Sequence, residues 1–216
     1  PCDTEEDIYR RLDLPFIPPE LRENMGEFTL KETPRLIELE DIRGVIHCHS
    51  NYSDGQNSMR EMALAAQELG YEYLTITDHS QSAGYAGGLQ PYRVEKQHAE
   101  IDALNEKLED FRLIKGIESD IKADGLLDYD EDILKSFEVI VISVHSNLDM
   151  TEEDATARVV KAVENPYTRI LGHPTGRLLL TRKGYELNYD VLFDACLANG
   201  VAIEINANCR RLDLDW

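Results

Sequence analysis

Short apolar segments alternate with longer amphipathic ones from residue 43 onward. Six of the short segments are rich in β-branched residues and almost continuously apolar, as strands that are buried on both faces should be. They are residues 45–49, 73–77, 112–117, 139–144, 169–171 and 201–205. The repeated alternation of strand and helix predicts an α/β fold with a parallel sheet, either closed into a barrel or left open.

The segments between the strands carry signals for helix ends. Ser58 and Glu61 match a capping box, and Gly70 is placed to end the helix that follows. The last predicted helix spans residues 189–199 and stops at Gly200. Two more helices are predicted, from the capping pair Thr151 and Asp154 and from the apolar stripe Val94, Ile101, Leu104 and Leu108.

The first 40 residues have a different pattern. Residues 14–19 are Pro-rich and predict an extended stretch, and residues 20–31 are charged and irregular. We therefore expect residues 1–40 to form a linker or arm and residues 41–216 to form the main domain. Because the chain begins with Pro1 and not with Met, we also expect it to be part of a longer protein.

Composition narrows the class of protein. The chain has 216 residues, of which 42% are hydrophobic, so it can form one large core or two small ones. It has no apolar run of the roughly 18 residues that a membrane span needs, and its acidic N-terminus does not resemble a signal peptide. The four cysteines are far apart, which favours free thiols in a reducing cytoplasm over disulfides or a zinc–thiolate site.

The formal net charge is −20. A protein that binds DNA by general electrostatics is usually basic, so this charge argues against bulk nucleic-acid binding. It is compatible with a metal site that accepts a single phosphate. A surplus of acidic residues also favours solubility, which is the simpler interpretation.

Histidines and carboxylates follow the predicted strands. Five of the six histidines and one glutamate lie at strand ends, namely His47, His49, His79, Glu118, His145 and His173. The carboxyl ends of parallel strands meet at one face of the sheet, where functional sites are built. Imidazole and carboxylate are ligands for divalent metals, so the pattern predicts a metal site rather than a polar network in the core.

The spacing of these residues adds detail. His47 and His49 are two residues apart and face the same side of a strand, so they can bind one ion together, whereas Cys48 points away and suits a small buried position. Asp54 lies in a turn nearby and is either a turn former or a further ligand. Glu118 is placed to bridge two ions, because a carboxylate has two oxygens.

Asp78 and His79 are neighbours and are expected to face opposite ways. We expect His79 to bind metal, and we expect Asp78 to orient a metal ligand without binding the metal itself. Glu118 and His145 join Asp78 in the predicted catalytic set. The sixth histidine, His98, lies on a predicted helix beside its apolar stripe and is expected to be structural.

Mixed nitrogen and oxygen ligands favour two or three ions of Mn²⁺, Zn²⁺ or Fe²⁺. Such ions lower the pKa of bound water toward about 7, and a pair can hold both the attacking and the leaving oxygen of a phosphoester. Arg177, Arg210 and Arg211 are candidates to hold the phosphate, although an exposed arginine is as often a solvated surface residue. These features predict a metal-dependent phosphoesterase.

The ordered motifs resemble those of the PHP (polymerase and histidinol phosphatase) domain family. They are His47-x-His49, Ser53-Asp54-Gly55, Thr77-Asp78-His79-Ser80, Gly116-Ile117-Glu118, Val144-His145-Ser146 and Gly172-His173-Pro174. The resemblance covers about residues 41–216 and implies a distorted seven-stranded (βα) barrel, similar to a TIM barrel, with three metals.

Further segments resemble the C-terminal PHP domain of bacterial family X DNA polymerases and the stretch that joins it to the polymerase core. They are residues 9–23, 172–179, 204–208 and 211–216. This resemblance implies a Mn²⁺-dependent 3′–5′ exonuclease that trims DNA 3′ ends in base excision repair. It also implies upstream polymerase domains in the same parent chain.

The family pattern ends with a strand that carries an Asp-x-His pair, and no such pair occurs before Trp216. We therefore expect the seventh barrel unit to be missing, metals to be fewer or more weakly bound, and the edge of the sixth strand to be open for pairing. Two alternatives to a DNA-trimming enzyme stay open. One is a small-molecule phosphatase of the histidinol phosphatase type, and the other is a non-catalytic module of the polymerase.

Overall fold

The computed structural model describes residues 2–214 and divides the chain into two compact units, Pro1–Ile42 and Arg43–Trp216. Asp215 and Trp216, the last two residues of one segment that resembles the polymerase family, lie outside the described residues. The division falls close to the boundary that the sequence predicts. The role of residues 1–40 as a linker stays a prediction.

The first unit contains more regular structure than an extended arm. Helix α1 (Glu5–Arg11) begins at Thr4, whose hydroxyl accepts a hydrogen bond from the backbone of Asp7 in a capping box. Arg22 binds Glu5 at 2.8 Å. Three short 3₁₀ turns follow α1 at Pro19–Leu21, Glu27–Thr29 and Leu39–Asp41.

The second unit is built on a parallel sheet whose strands follow each other in chain order. Its strands are β1 (Gly44–Cys48), β2 (Tyr73–Ile76), β3 (Arg112–Asp120), β4 (Val139–Ser143), β5 (Ile170–Leu171) and β6 (Ala202–Ile203). Each pairs only with its sequence neighbours among the residues that the structure describes. The parallel α/β prediction is confirmed.

The sheet is curled, so its two edge strands approach each other at the carboxyl end. His47 near the end of β1 and Glu204 just after β6 are joined by a contact of 2.6 Å between Nδ1 and Oε1. Strand β3 forms a corner of the sheet, because its first half pairs with β2 and its second half pairs with β4. The curl of the sheet brings the loops at the carboxyl ends of the strands close together.

Strand β3 is three residues longer than the sequence predicts. Glu118 therefore lies inside the strand, opposite Val141 of β4, and not after the strand end. The extension is stabilised by pairing with β4, a non-local contact that local pattern does not encode. Strand β6, in contrast, is shorter than predicted.

Five helices occur between or beside the strands within the described part of this unit. They are α2 (Met59–Glu68), α3 (Pro91–Asn105), α4 (Glu131–Leu134), α5 (Glu152–Val163) and α6 (Tyr189–Asn199). The capping box of Ser58 and the N-cap of Thr151 are confirmed, and Gly200 has the left-handed conformation that ends α6. Leu108 lies beyond the end of α3, and the one-turn α4 is too short for its periodicity to be recognised.

The apolar core lies on both sides of the corner in β3. One cluster includes Met59 and Ala63 of α2 with Ile76 of β2, and the larger one includes Ile140 of β4 and Val159 of α5. Packing on both faces fixes the strands and so the loops at their carboxyl ends. The described residues include no helix with the length and apolar character of a membrane span.

Candidate metal centre

The Glu118 carboxylate is the centre of the site. Its residue is 1% exposed, and ring nitrogens of five histidines surround it at 3.0–3.5 Å. Oε1 faces His47, His145 and His173, and Oε2 faces His49 and His79. All five histidines predicted at strand ends are thus brought together around the predicted glutamate.

The contacts define three overlapping groups in which ligand atoms lie within 4.8 Å of one another. One consists of His47, Glu118 and His173, a second of His79, Glu118 and His145, and a third of His49, Asp54 and His79. Glu118 and His79 each belong to two groups, as a bridging ligand of neighbouring ions would. The placement of Asp54 beside His49 and His79 favours the ligand interpretation over the simple turn former.

Two further carboxylates contact the histidine nitrogens that face away from Glu118. The sequence prediction did not include them. Glu204 accepts hydrogen bonds from His47 Nδ1 and from the backbone N–H of His173, each at 2.6 Å. Asp120 contacts Nδ1 of His145. A carboxylate on the far nitrogen of an imidazole fixes the orientation of a ligand histidine.

Asp120 lies two residues after Glu118, and both side chains face the same side because β3 extends through them. The predicted strand ended at residue 117, so the sequence prediction did not include this alternation. Glu204 has no comparable local signal. Its role depends on the curl of the sheet, which places β6 beside β1.

Electrostatics hold Glu118 ionised. Burial by itself would raise the pKa of this carboxyl, but hydrogen bonds from His145, His173 and His47 keep it well below its ordinary value. A buried carboxylate without such partners would be strongly destabilising. The ionised state of Glu118 therefore depends on neighbouring histidines that are either protonated or bound to metal.

The histidines divide into two kinds. Burial would lower the pKa of His47 and His145, yet each lies between two carboxylates, which raise the values to about 10 and about 9. Burial dominates at His79, whose pKa falls to about 4, and also lowers the pKa of His49. A metal ion that bound here would replace the protons that His47 and His145 favour.

Asp78 lies apart from the three groups. It is fully buried and accepts hydrogen bonds from Ser50 N–H at 2.8 Å, Ser53 N–H at 3.2 Å and Gln97 Nε2 at 2.6 Å. Its carboxylate therefore fixes the loop that carries Asp54. This supports the predicted orienting role, acting through the loop rather than through a histidine.

The three predicted arginines lie on two loops that pack together. Arg177 Nε donates to the carbonyl of Arg211 at 2.9 Å, and the Leu179 N–H donates to the carbonyl of Arg210 at 2.8 Å. Arg210 is exposed, whereas Arg211 is half-buried, and its Nη1 has no hydrogen-bond partner among the described residues. Their role in binding phosphate stays a prediction.

Two residues lie outside the centre as predicted. The Cys48 thiol contacts the Thr75 carbonyl at 3.2 Å, and burial raises its pKa to about 12. The His98 ring packs edge-on against Phe137 with centroids 4.9 Å apart. Neither belongs to a candidate metal group within residues 2–214.

The donor set fits divalent metals. Imidazole nitrogens and carboxylate oxygens are the ligands that Zn²⁺, Mn²⁺ and Fe²⁺ accept. The buried Nδ1 of His49 has no hydrogen-bond partner within the described chain, and it faces Asp54 at 3.8 Å. An ion between them would satisfy a polar atom that is otherwise buried without a partner.

A curled parallel sheet with histidines and acids at its carboxyl end defines the class of this protein. The PHP domain family model matches residues 46–208, so the chain belongs to the PHP domain family. The model of the DNA polymerase beta thumb matches residues 1–23.

Two curated relatives place the chain within that class. It is 45% identical over 212 residues to the "DNA polymerase/3'-5' exonuclease PolX" of Bacillus subtilis, covering 98% of this chain and 37% of that protein. It is 30% identical over 165 residues to a "Probable phosphatase" of Caldicellulosiruptor bescii, covering 74% of this chain and 63% of that protein. The chain thus spans little more than a third of the polymerase that it resembles.

A solved structure shares the fold. Histidinol phosphate phosphatase from Lactococcus lactis, crystallised with zinc, L-histidinol and phosphate, superposes with a TM-score of 0.53. The alignment covers 76% of this chain and 73% of that one at 18% identity. At this identity the likeness shows the fold alone.

Proposed function

We propose that this chain is a metal-dependent phosphoesterase domain that hydrolyses phosphodiesters at DNA 3′ ends, acting in the cytoplasm as part of a family X DNA polymerase. The observation that carries the proposal is the single buried carboxylate of Glu118 with five histidines around it. The 45% identity to the Bacillus polymerase and exonuclease supports DNA as the substrate.

Different groups of residues would bind different metal ions. His47 and His173, His79 and His145, and the group around Asp54 would hold Mn²⁺, Zn²⁺ or Fe²⁺, with Glu118 shared between sites. Bound ions of this kind supply Lewis acidity toward phosphate oxygens and lower the pKa of water.

The surrounding residues keep the ligands in place. Glu204 and Asp120 hold the far nitrogens of His47 and His145, so these imidazoles present their other nitrogen to the centre. Asp78 fixes the loop of Asp54. These residues position ligands and need not touch the substrate.

The test uses the purified chain, Mn²⁺ and a single DNA strand labelled at its 5′ end. We expect stepwise shortening from the 3′ end, which stops when EDTA removes the metal. The change Glu118→Gln should lower both the bound metal and the rate, the rate by at least about 100-fold.

The matched control is Glu95→Gln on the exposed face of α3, which should leave metal content and rate unchanged. A wild-type chain that binds metal but leaves the strand intact would refute DNA hydrolysis by this chain. A Glu118→Gln chain as active as the wild type would refute the assignment of the centre.

A small-molecule phosphatase is the second candidate, favoured by the relative named a probable phosphatase. The same preparation is given histidinol phosphate, and released inorganic phosphate is measured. Release of phosphate without shortening of the DNA strand would replace the first proposal by this one.

A further inference from the structure

The loop between β2 and α3 presents an aromatic side chain at the mouth of the metal centre. Tyr85 is 71% exposed. Its ring centroid lies 6.0 Å from that of His79 and 6.3 Å from that of His145. An exposed tyrosine ring therefore stands directly beside two of the candidate ligands.

The loop that carries Tyr85 is held in a fixed shape. The Leu89 N–H donates to the His79 carbonyl at 2.8 Å and closes the loop at its base, and the Ser82 N–H donates to the Asp128 carboxylate at 2.7 Å. Gly88 is required for this closure, because a Cβ there would lie 1.9 Å from a backbone oxygen. A rigid loop loses little conformational freedom when it binds a ligand.

Packing of the loop itself does not account for the exposed ring. Ala83, Ala86 and Leu89 of the same loop are buried at 0%, 4% and 0% exposure, so smaller side chains anchor it while the largest apolar group points outward. Exposed tyrosines are common on protein surfaces, and Tyr92 on α3 is exposed to a similar extent. The position of the Tyr85 ring beside His79 and His145, and not its exposure, therefore points to a ligand.

The charges near Tyr85 are of both signs. Burial and the carboxylates of the centre raise the pKa of the Tyr85 phenol, and the Arg211 guanidinium, the cation among these neighbours, lowers it. Arg211 belongs to an acid-free stretch with Arg210, and residues 172–184 add further cations without an acidic residue. These two loops thus contain five arginines and lysines on a chain whose net charge is −20, and we call them the basic loops.

We infer that Tyr85 is a substrate-positioning residue that stacks on the 3′-terminal base of a single DNA strand, while the basic loops hold the phosphates behind it. The inference rests on the proposed function and names its substrate as a single strand. Stacking on an aromatic ring tolerates every base, because each base has a π-face. The terminal phosphodiester would then lie over the metal centre.

The experiment uses a single strand with 2-aminopurine as its 3′-terminal base and a phosphorothioate at the terminal linkage to slow hydrolysis. Stacking quenches 2-aminopurine, so the wild-type chain with Mn²⁺ should quench it on binding. The change Tyr85→Ala should abolish the quench and weaken binding roughly 5- to 100-fold. Tyr85→Phe keeps the ring and should retain the quench.

The matched control is Tyr92→Ala on α3, a tyrosine of similar exposure at 69%, which should quench and bind like the wild type. No quench with wild type, or an equal quench with Tyr85→Ala, would overturn the inference. Hydrolysis of an ordinary strand by the wild type is measured separately. A chain that quenches without hydrolysing would refute the proposed function and leave the stacking role standing.

Discussion

At the scale of single residues, the centre shows how one buried carboxylate is kept charged. Glu118 is almost completely buried, and such a group is stable only when partners satisfy both of its oxygens. Three histidines face one oxygen and two face the other. The same arrangement would give neighbouring metal ions a shared ligand.

Glu204 offers a test of the support behind the ligands. The change Glu204→Gln removes the charged acceptor that holds His47 and the backbone of His173. We expect metal affinity to fall about 10- to 100-fold, the usual effect of losing such a partner, while the fold is kept. Competition with a chromogenic chelator measures the affinity.

The control is Glu68→Gln on the exposed end of α2, which should bind metal like the wild type. Equal affinities for the wild type and Glu204→Gln would mean that His47 needs no support from β6.

His98 makes a prediction about pH. Burial lowers the pKa of this ring to about 4, against 6.5 in an unfolded chain. As the pH falls below 6.5 the unfolded chain binds a proton that the folded chain does not, so the free energy of unfolding falls until about pH 4. The contribution of His98 to the free energy of unfolding is thus fully present above pH 6.5 and is lost as the pH falls to about 4.

Replacing His98 with Phe removes the titration and keeps a ring against Phe137. Between pH 6.5 and 4 the variant should lose about 1–2 kcal/mol less stability than the wild type, a value reduced because the ring is partly exposed to solvent. Urea unfolding in EDTA at several pH values measures the difference. Parallel curves for the two proteins would show that His98 is solvated like a surface residue.

At the scale of elements, the loop after β1 depends on a residue without a side chain. A Cβ at Gly55 would lie 2.1 Å from the carbonyl oxygen of His49, a contact with backbone that nothing can relieve cheaply. The neighbouring Asp54 belongs to the group with His49 and His79. The close approach of the backbone at Gly55 thus helps to place Asp54 beside His49 and His79.

We predict that Gly55→Ala displaces this loop, lowers the metal bound per chain and destabilises the fold by about 2 kcal/mol. Elemental analysis and thermal unfolding measure the two effects. Gly84→Ala is the control, because a Cβ there meets nothing within 4 Å. If Gly55→Ala bound as much metal as the control, Asp54 would not be a ligand.

Local signals predicted most of the elements. The caps at Ser58 and Thr151 and the stop at Gly200 are confirmed, because a capping side chain and a left-handed glycine act within a few residues of themselves. The extension of β3 to Asp120 was not predicted, because it follows from pairing with β4. Helix α1 was missed because the Pro-rich stretch after it dominated the pattern.

At the scale of the whole molecule, the net charge of the chain is negative, whereas two neighbouring loops carry a cluster of cations. The chain carries a net charge of −20, which disfavours approach of a polyanion to most of its surface. The loops around Arg177 and Arg210, which carry five arginines and lysines, lie beside one another. These loops are where we propose that the phosphates of a strand end bind.

The sequence by itself determined the parallel α/β class, the family and the set of histidines that meet, since strand ends in a parallel sheet share one face. Only the tertiary structure decided that Glu118 stands at the centre of all five rings and that Glu204 supports His47. Those facts depend on the curl of the sheet and on the corner in β3. Curl arises from non-local strand pairing and packing, which no local pattern of residues specifies.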